Sequence, residues 1–298
     1  TYSNNGLTTG TLYYYRIRAY RGTQYSKYSN VSNTWDSNTF KVELTTTSIN
    51  QSVTLPHLAG YVHNYTIDYG DNSGIKTVTS YDDSDCTHIY TSVGVYTVKI
   101  VGTCETFNVN NGAIKLFVTK VLSWGNVGLK SINFYSCTNL TSIAGDSSGL
   151  SLVTTFVDVF RGCSKLASIP SGIFDKCINT TNFSGTFDSC VLVTLIPSGL
   201  FDGNINVITF SYTFYGCTGL LSIPIGIFRY NINVSSFVYC FYNCNKITSI
   251  PPELFDKNVL VTNFTGTFRL CSQLALIPSG LFDGNINVTT FWGTFISC

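Results

Sequence analysis

Histidine is almost absent from this chain: His57, His63 and His88 are the only three in 298 residues. None falls in residues 138–298, so no histidine-based acid–base pair can be assembled from that part alone. Charge is scarce as well. Seventeen basic residues stand against sixteen acidic ones, a net charge of +1, and no basic stripe interrupts the balance. Such a chain sets up no field that would gather nucleic acid or an anionic membrane. No uninterrupted apolar run approaches the roughly 18 residues of a membrane span. Thr1 is followed by no charged-then-apolar leader, so a targeting signal is expected outside this sequence. A glycine-rich phosphate loop, a Cys-x-x-Cys pair and a Gly-x-Ser-x-Gly elbow are all missing. The expectation is a chain with no catalytic residue, no cofactor and no metal.

Hydrophobic residues make up 44% of the chain, ample for a packed core. Eleven cysteines are present, an odd number. Cys163, Cys190, Cys217, Cys244, Cys271 and Cys298 follow one another at steps of 27 residues, which suits buried thiols better than a disulfide framework. Cys86 and Cys104, 18 apart, either form a bridge or stay thiols. The same 27-residue step governs Pro170, Pro197, Pro224, Pro251 and Pro278, and the phenylalanines that begin at Phe156 and Phe160. Residues 138–298 are therefore a tandem array, with 110–137 as its cap and linker and Cys137, 26 before Cys163, in an imperfect first coil.

Within a repeat, Val207, Phe210, Phe214 and Cys217 stand at offsets 0, 3, 7 and 10, the spacing of one helical face. Leu220 and Ile223 before Pro224 read as a short strand. Asn204, Asn231, Asn258 and Asn285 recur at one turn position, where their amides can bond the backbone of the neighbouring coil. Each coil is thus expected to hold a strand, a loop and a short helix, and the strands to line up as a parallel sheet. Cys177 and Cys240 fall off the cysteine ladder.

Ahead of the array, residues 36–109 read as strands, "FKVELTTT", "SVTLPHL", "NYTIDYGD", "IKTVTSY" and "VYTVKIVG", separated by Gly, Asn, Asp and Ser. A small sandwich is expected there. Tyr69, Gly70, Asp71, His88, Tyr90, Gly94 and Tyr96 resemble the turn and strand signature of polycystic-kidney-disease (PKD) type immunoglobulin-like domains, with Asn72 in place of a second glycine. In residues 1–35, Gly10-Thr11-Leu12-Tyr13 resembles the turn near the end of a fibronectin type III domain, where Tyr13 would be the corner tyrosine. The repeat unit, Leu-x-x-Ile-Pro then Phe-x-x-x-Phe-x-x-Cys, resembles the BspA-like leucine-rich repeat of bacterial surface proteins. Together these resemblances imply a mixed β and α/β chain: an immunoglobulin-like β-sandwich followed by a right-handed leucine-rich-repeat solenoid of 27-residue coils. They also imply an extracellular, cell-surface or virion-surface protein that binds without catalysis, either an adhesin for a glycan or surface protein or a tail or head-fibre component of a phage infecting gut bacteria.

Binding is expected where the array departs from its own pattern, because those side chains are released from packing. Tyr212, Tyr215, Tyr239 and Tyr242 form such a patch on two neighbouring coils, with Arg269 and Trp292 further along. Exposed aromatics of this kind stack on sugars or fill protein pockets, although they can equally cover a convex face without binding anything. Ser222, Lys246 and Ser249 mark a competing surface. The acidic loop Asp82, Asp83 and Asp85, with Asp68 and Asp71 upstream, offers oxygen ligands of the kind Ca²⁺ takes, but a solvated loop is the favoured reading. His88 has those loop carboxylates within sequence reach and is expected to be structural.

Overall fold

A computed structural model describes residues 38–110 and 112–298, together with the backbone of four two-residue strands nearer the start. These are β1 (Tyr14–Tyr15), β2 (Tyr20–Arg21), β3 (Gln24–Tyr25) and β4 (Ser32–Asn33); β1 pairs with β4 and β2 with β3, both antiparallel. The fibronectin comparison, with its corner tyrosine Tyr13, lies outside the described residues.

The alternating segments form the expected strands: β5 (Phe40–Thr45), β6 (Gln51–Thr54), β7 (His63–Asp68), β8 (Ile75–Val78), β9 (Thr87–Tyr90) and β10 (Val95–Cys104). Phe40, Val42 and Leu44 on β5 and His63, Tyr65 and Ile67 on β7 point inward while their neighbours are more exposed, the period-two signature of a half-buried sheet. Asn72 has φ 65°, as its place in the turn requires. Asp71 reaches from that turn to His88 Nε2 at 2.7 Å, and the imidazole stacks on Tyr69 at 4.2 Å, so His88 pins the turn to β9.

Two further strands come from residues close to the array. β11 (Thr106–Asn108) runs parallel to β13 (Ser131–Asn133), and β12 (Val118–Ser123) adds to the edge of β5. The main sheet therefore runs β12-β5-β10-β7-β8, antiparallel throughout, with β6-β9 as a second, two-stranded sheet. One hydrophobic core joins this β unit to the repeats. Trp124 sits at the junction, fully buried, its indole N–H donating to the Ala144 carbonyl at 3.0 Å and its ring flanked by Phe40, Phe134 and Phe160.

The fold class expected from the sequence is corrected here. No α-helix occurs among the described residues, only 3₁₀ turns at Ser84–Cys86, Ala113–Leu116 and Ser148–Leu150, and the repeats carry no continuous parallel sheet. A helix-bearing leucine-rich-repeat solenoid is therefore not what these residues form. The physical reason lies in two left-handed residues per repeat, four apart: Tyr212 (φ 59°) and Gly216 (φ 65°), Tyr239 (φ 52°) and Asn243 (φ 55°), Gly266 (φ 59°) and Leu270 (φ 65°). A left-handed residue every fourth position cannot continue an α-helix. Two successive tight turns form instead, closed by Thr213 N–H to Phe210 O and Cys217 N–H to Phe214 O. Tandem four-residue turns also place offsets 0, 3, 7 and 10 on one side, which is why the spacing resembled a helix.

The N–H groups between those turn bonds point to the next repeat. Phe210, Tyr212, Phe214 and Gly216 donate to the carbonyls of Ser236, Val238, Cys240 and Tyr242. Sheet pairing between repeats is reduced to single-residue parallel bridges, Thr155↔Asn182↔Thr209↔Ser236↔Asn263↔Thr290, with Ser249↔Leu276 in the expected strand and Lys120↔Ser142 joining the cap to the first coil. Like side chains nevertheless lie on like. Phe160, Phe187, Phe214, Phe241, Phe268 and Phe295 stack ring on ring at 5.5 to 5.8 Å. The buried Asn231 amide donates to Phe201 O at 3.1 Å and Asn204 O at 2.9 Å, and Asn204, Asn258 and Asn285 repeat the pattern. The cysteine ladder does the same with a weaker donor: the Cys217 thiol reaches Phe187 O at 3.1 Å and the Cys244 thiol Phe214 O at 3.1 Å. All eleven cysteines are free, Cys86 and Cys104 included.

Cys240 stands where Thr213 and Thr267 stand in adjacent repeats. Each of those hydroxyls bridges two carbonyls, for Thr213 those of Phe183 at 3.0 Å and Phe210 at 2.7 Å. A Cys240→Thr substitution should supply the corresponding bonds to Phe210 O and Phe237 O, adding about 1 kcal/mol and raising the thermal midpoint by roughly 2 °C. A lower midpoint in differential scanning calorimetry would show that the ladder position does not accept a hydroxyl here.

Candidate functional site

The tandem turns that rule out a helix also bring the tyrosines together. Tyr212 and Tyr239 occupy the first left-handed position of their repeats, and Tyr215 and Tyr242 stand three residues later. Stacking the two repeats puts Tyr212 5.2 Å from Tyr239 and Tyr215 4.4 Å from Tyr242, ring centre to ring centre, the latter pair parallel to within 1°. Tyr212–Tyr215 at 5.7 Å and Tyr239–Tyr242 at 5.5 Å close the tetrad. The facing sides of Tyr215 and Tyr242 are thus consumed by each other, while Tyr212 is the most open of the four, 39% exposed. The Tyr239 ring lies over Gly266, where a Cβ would come within 2.2 Å of its Cε1. Burial, reinforced by the neighbouring tyrosines, raises the Tyr212 and Tyr215 hydroxyls above their ordinary pKa, so both remain protonated donors.

Polar groups bound the tetrad on either side. On one flank Arg161 Nε meets Asp188 Oδ2 at 3.1 Å and the same guanidinium reaches Asp158 at 3.4 Å. Burial pushes the Asp188 carboxyl above its usual range, against the pull of the Ser189 hydroxyl and Arg161. On the other flank the Arg269 guanidinium lies over the Trp292 ring at 5.5 Å, and Trp292 is 59% exposed. Tyr212 and Tyr239 share one repeat position and Tyr215, Tyr242 and Arg269 another, and Trp292, one residue before the equivalent of the first, joins the row through Arg269. Ser222, Lys246 and Ser249 are exposed as expected, but carry no comparable cluster of aromatic contacts.

The acidic loop is not gathered into a cation site. Asp68 pairs with Lys99 at 3.0 Å, Asp71 with His88, and Asp85 with Lys76 at 3.4 Å. Asp83 accepts from the backbone of Thr79 and Asp85, which holds its carboxyl below the usual range.

What sequence reasoning missed is His57, His63 and Cys104. One ligand atom from each falls within 4.8 Å of the others, the only grouping of three or more metal-ligating side chains among the described residues. Burial lowers the His57 pKa to about 4, helped by the neighbouring His63. It also lowers that of His63, against weaker opposing pulls from the Leu58 backbone and Glu105. No spacing rule joins positions 57, 63 and 104, so the sequence carried no signal for this cluster.

No protein-family model matches the chain, and no curated protein matches it. Among the described residues, no helix is long and apolar enough to cross a membrane.

Proposed function

We propose that the chain is a non-enzymatic binding protein of an extracellular, cell or virion surface, and that the tyrosine strip of its repeat array receives a glycan. The observation that carries this reading is the conformation of Tyr212 and Tyr239. Both hold φ near +55°, a region that costs a non-glycine residue about 1 to 2 kcal/mol. The same position is glycine at Gly185, Gly266 and Gly293, so the fold has no need of a side chain there. Local strain of this kind is characteristic of binding and catalytic positions. Half-buried rings with protonated hydroxyls, bounded by the Arg161–Asp188 pair and by Arg269, offer a sugar both apolar contact and hydrogen-bond partners.

The test combines Tyr212→Gly and Tyr239→Gly with Tyr215→Ser and Tyr242→Ser. Relief of left-handed strain offsets the ~0.5 to 1.5 kcal/mol lost per aromatic pair, so the thermal midpoint should stay within a few degrees of the parent. Binding to an immobilised glycan panel should fall at least tenfold. Equal binding by parent and variant would remove the strip as the site.

A further inference from the structure

Three side chains from separate parts of the β unit converge beneath its edge. His63 opens β7 and Cys104 closes β10, and the antiparallel register sets the two directly opposite each other. His57 comes from the segment after β6, its ring 4.1 Å from that of His63. Cys104 is fully buried and His63 is 2% exposed. The remaining contacts already have the form of a ligand set's outer layer. His57 Nδ1 lies 3.0 Å from the Thr106 carbonyl, which fixes the proton on that nitrogen and leaves a lone pair on Nε2, now facing the Tyr65 hydroxyl. Thr106 also holds the Cys104 thiol at 3.4 Å through its carbonyl and His63 Nε2 at 3.4 Å through its hydroxyl. One atom is less well served: His63 Nδ1 is buried with no hydrogen bond of good geometry, the Leu58 backbone giving it only a weak interaction. A buried imidazole nitrogen left in that state is costly, and a ligand at the cluster relieves it.

We propose that His57, His63 and Cys104 bind one Zn²⁺ ion, with a water in the fourth position. Two imidazoles and a thiolate form a borderline-soft donor set that suits zinc and disfavours Ca²⁺ or Mg²⁺, which take oxygen ligands. Tetrahedral zinc needs its nitrogen and sulfur ligands about 3.4 to 3.7 Å apart, so the cluster closes by about an ångström through side-chain rotation. Binding releases the Cys104 thiol proton to solvent and forms the Zn–S bond. The ion ties the segment carrying His57 to the end of the β7–β10 pair, where β11 leaves toward the repeats.

The test uses the full chain with Cys298→Ser, which removes the exposed thiol, dialysed against a chelator and titrated with Co²⁺ as a spectroscopic substitute for Zn²⁺. One equivalent should produce a thiolate-to-cobalt charge-transfer band that Zn²⁺ then abolishes, and Zn²⁺ should raise the thermal midpoint by several degrees. Cys104→Ser should lose the band, and His57→Gln should weaken Zn²⁺ binding roughly hundredfold. A parent protein with no band and no Zn²⁺-dependent midpoint overturns the proposal, even if neither variant folds. Persistence of the band in Cys104→Ser overturns it as well, and so does binding of Cu⁺ without binding of Zn²⁺.

Discussion

Trp124→Ala should destabilise the whole described structure by about 4 kcal/mol, the usual cost of emptying a large buried aromatic site. The indole touches Phe40 of β5 on one side and Phe134 and Phe160 of the first repeats on the other, and its N–H satisfies the Ala144 carbonyl. Removal therefore opens a cavity where two regions share one core and leaves a carbonyl unpaired. Gly149→Ala probes the same place by overfilling it: the added Cβ would stand 2.2 Å from Gly125 O and 2.5 Å from Trp124 O, backbone atoms that have no room to retreat. Urea unfolding followed by tryptophan-independent far-ultraviolet dichroism should show the midpoint falling in both variants. Were the repeats to keep their parental transition in Trp124→Ala while only the β unit weakened, the shared core would be refuted.

The second large effect is expected at Phe237. Its ring lies 5.9 Å from Phe210 and 5.8 Å from Phe264 along the stack, and 4.8 Å from both Phe228 and Phe255 across it. Phe237→Ala should cost about 3 to 5 kcal/mol, since four rings lose a partner and neighbouring repeats hold the cavity open. Phe291, the same position two repeats on, is 46% exposed and touches Phe264 and Phe282 alone among aromatic rings. Its replacement by alanine should cost no more than about 1 kcal/mol, because an exposed ring contributes little burial. Chemical denaturation of both variants measures the difference. Equal losses would mean that stability does not accumulate by contacts between adjacent repeats.

The period of the array was legible because stacked units must present the same side chain at the same level. The Asn204 to Asn285 series was readable for the same reason, as a turn position whose amides bond the preceding repeat. The strands of residues 40–104 were visible from alternation alone. The helix was misread at Val207, Phe210, Phe214 and Cys217, where helical and tandem-turn geometries share one spacing. Residues tolerant of positive φ, such as Gly185, Gly216, Asn243 and Gly266, pointed to turns, but Tyr212 and Tyr239 at equivalent positions hid that signal. β12 was hidden in residues expected to be cap and linker, since its partner β5 lies some 75 residues earlier in sequence. The tyrosines were found as departures from a repeat. His57, His63 and Cys104 were not, because the register of β7 on β10 sets His63 opposite Cys104 and the path of the chain after β6 brings His57 beside them.

The bonds between successive repeats, from Phe210 to Ser236 and from Gly216 to Tyr242, all run in the direction along which the units are piled. A force applied between the two ends would load them one row at a time, as a zip is opened, rather than all at once. Each repeat detached in this way would add 27 residues of extended chain while the repeats beside it keep their stacking.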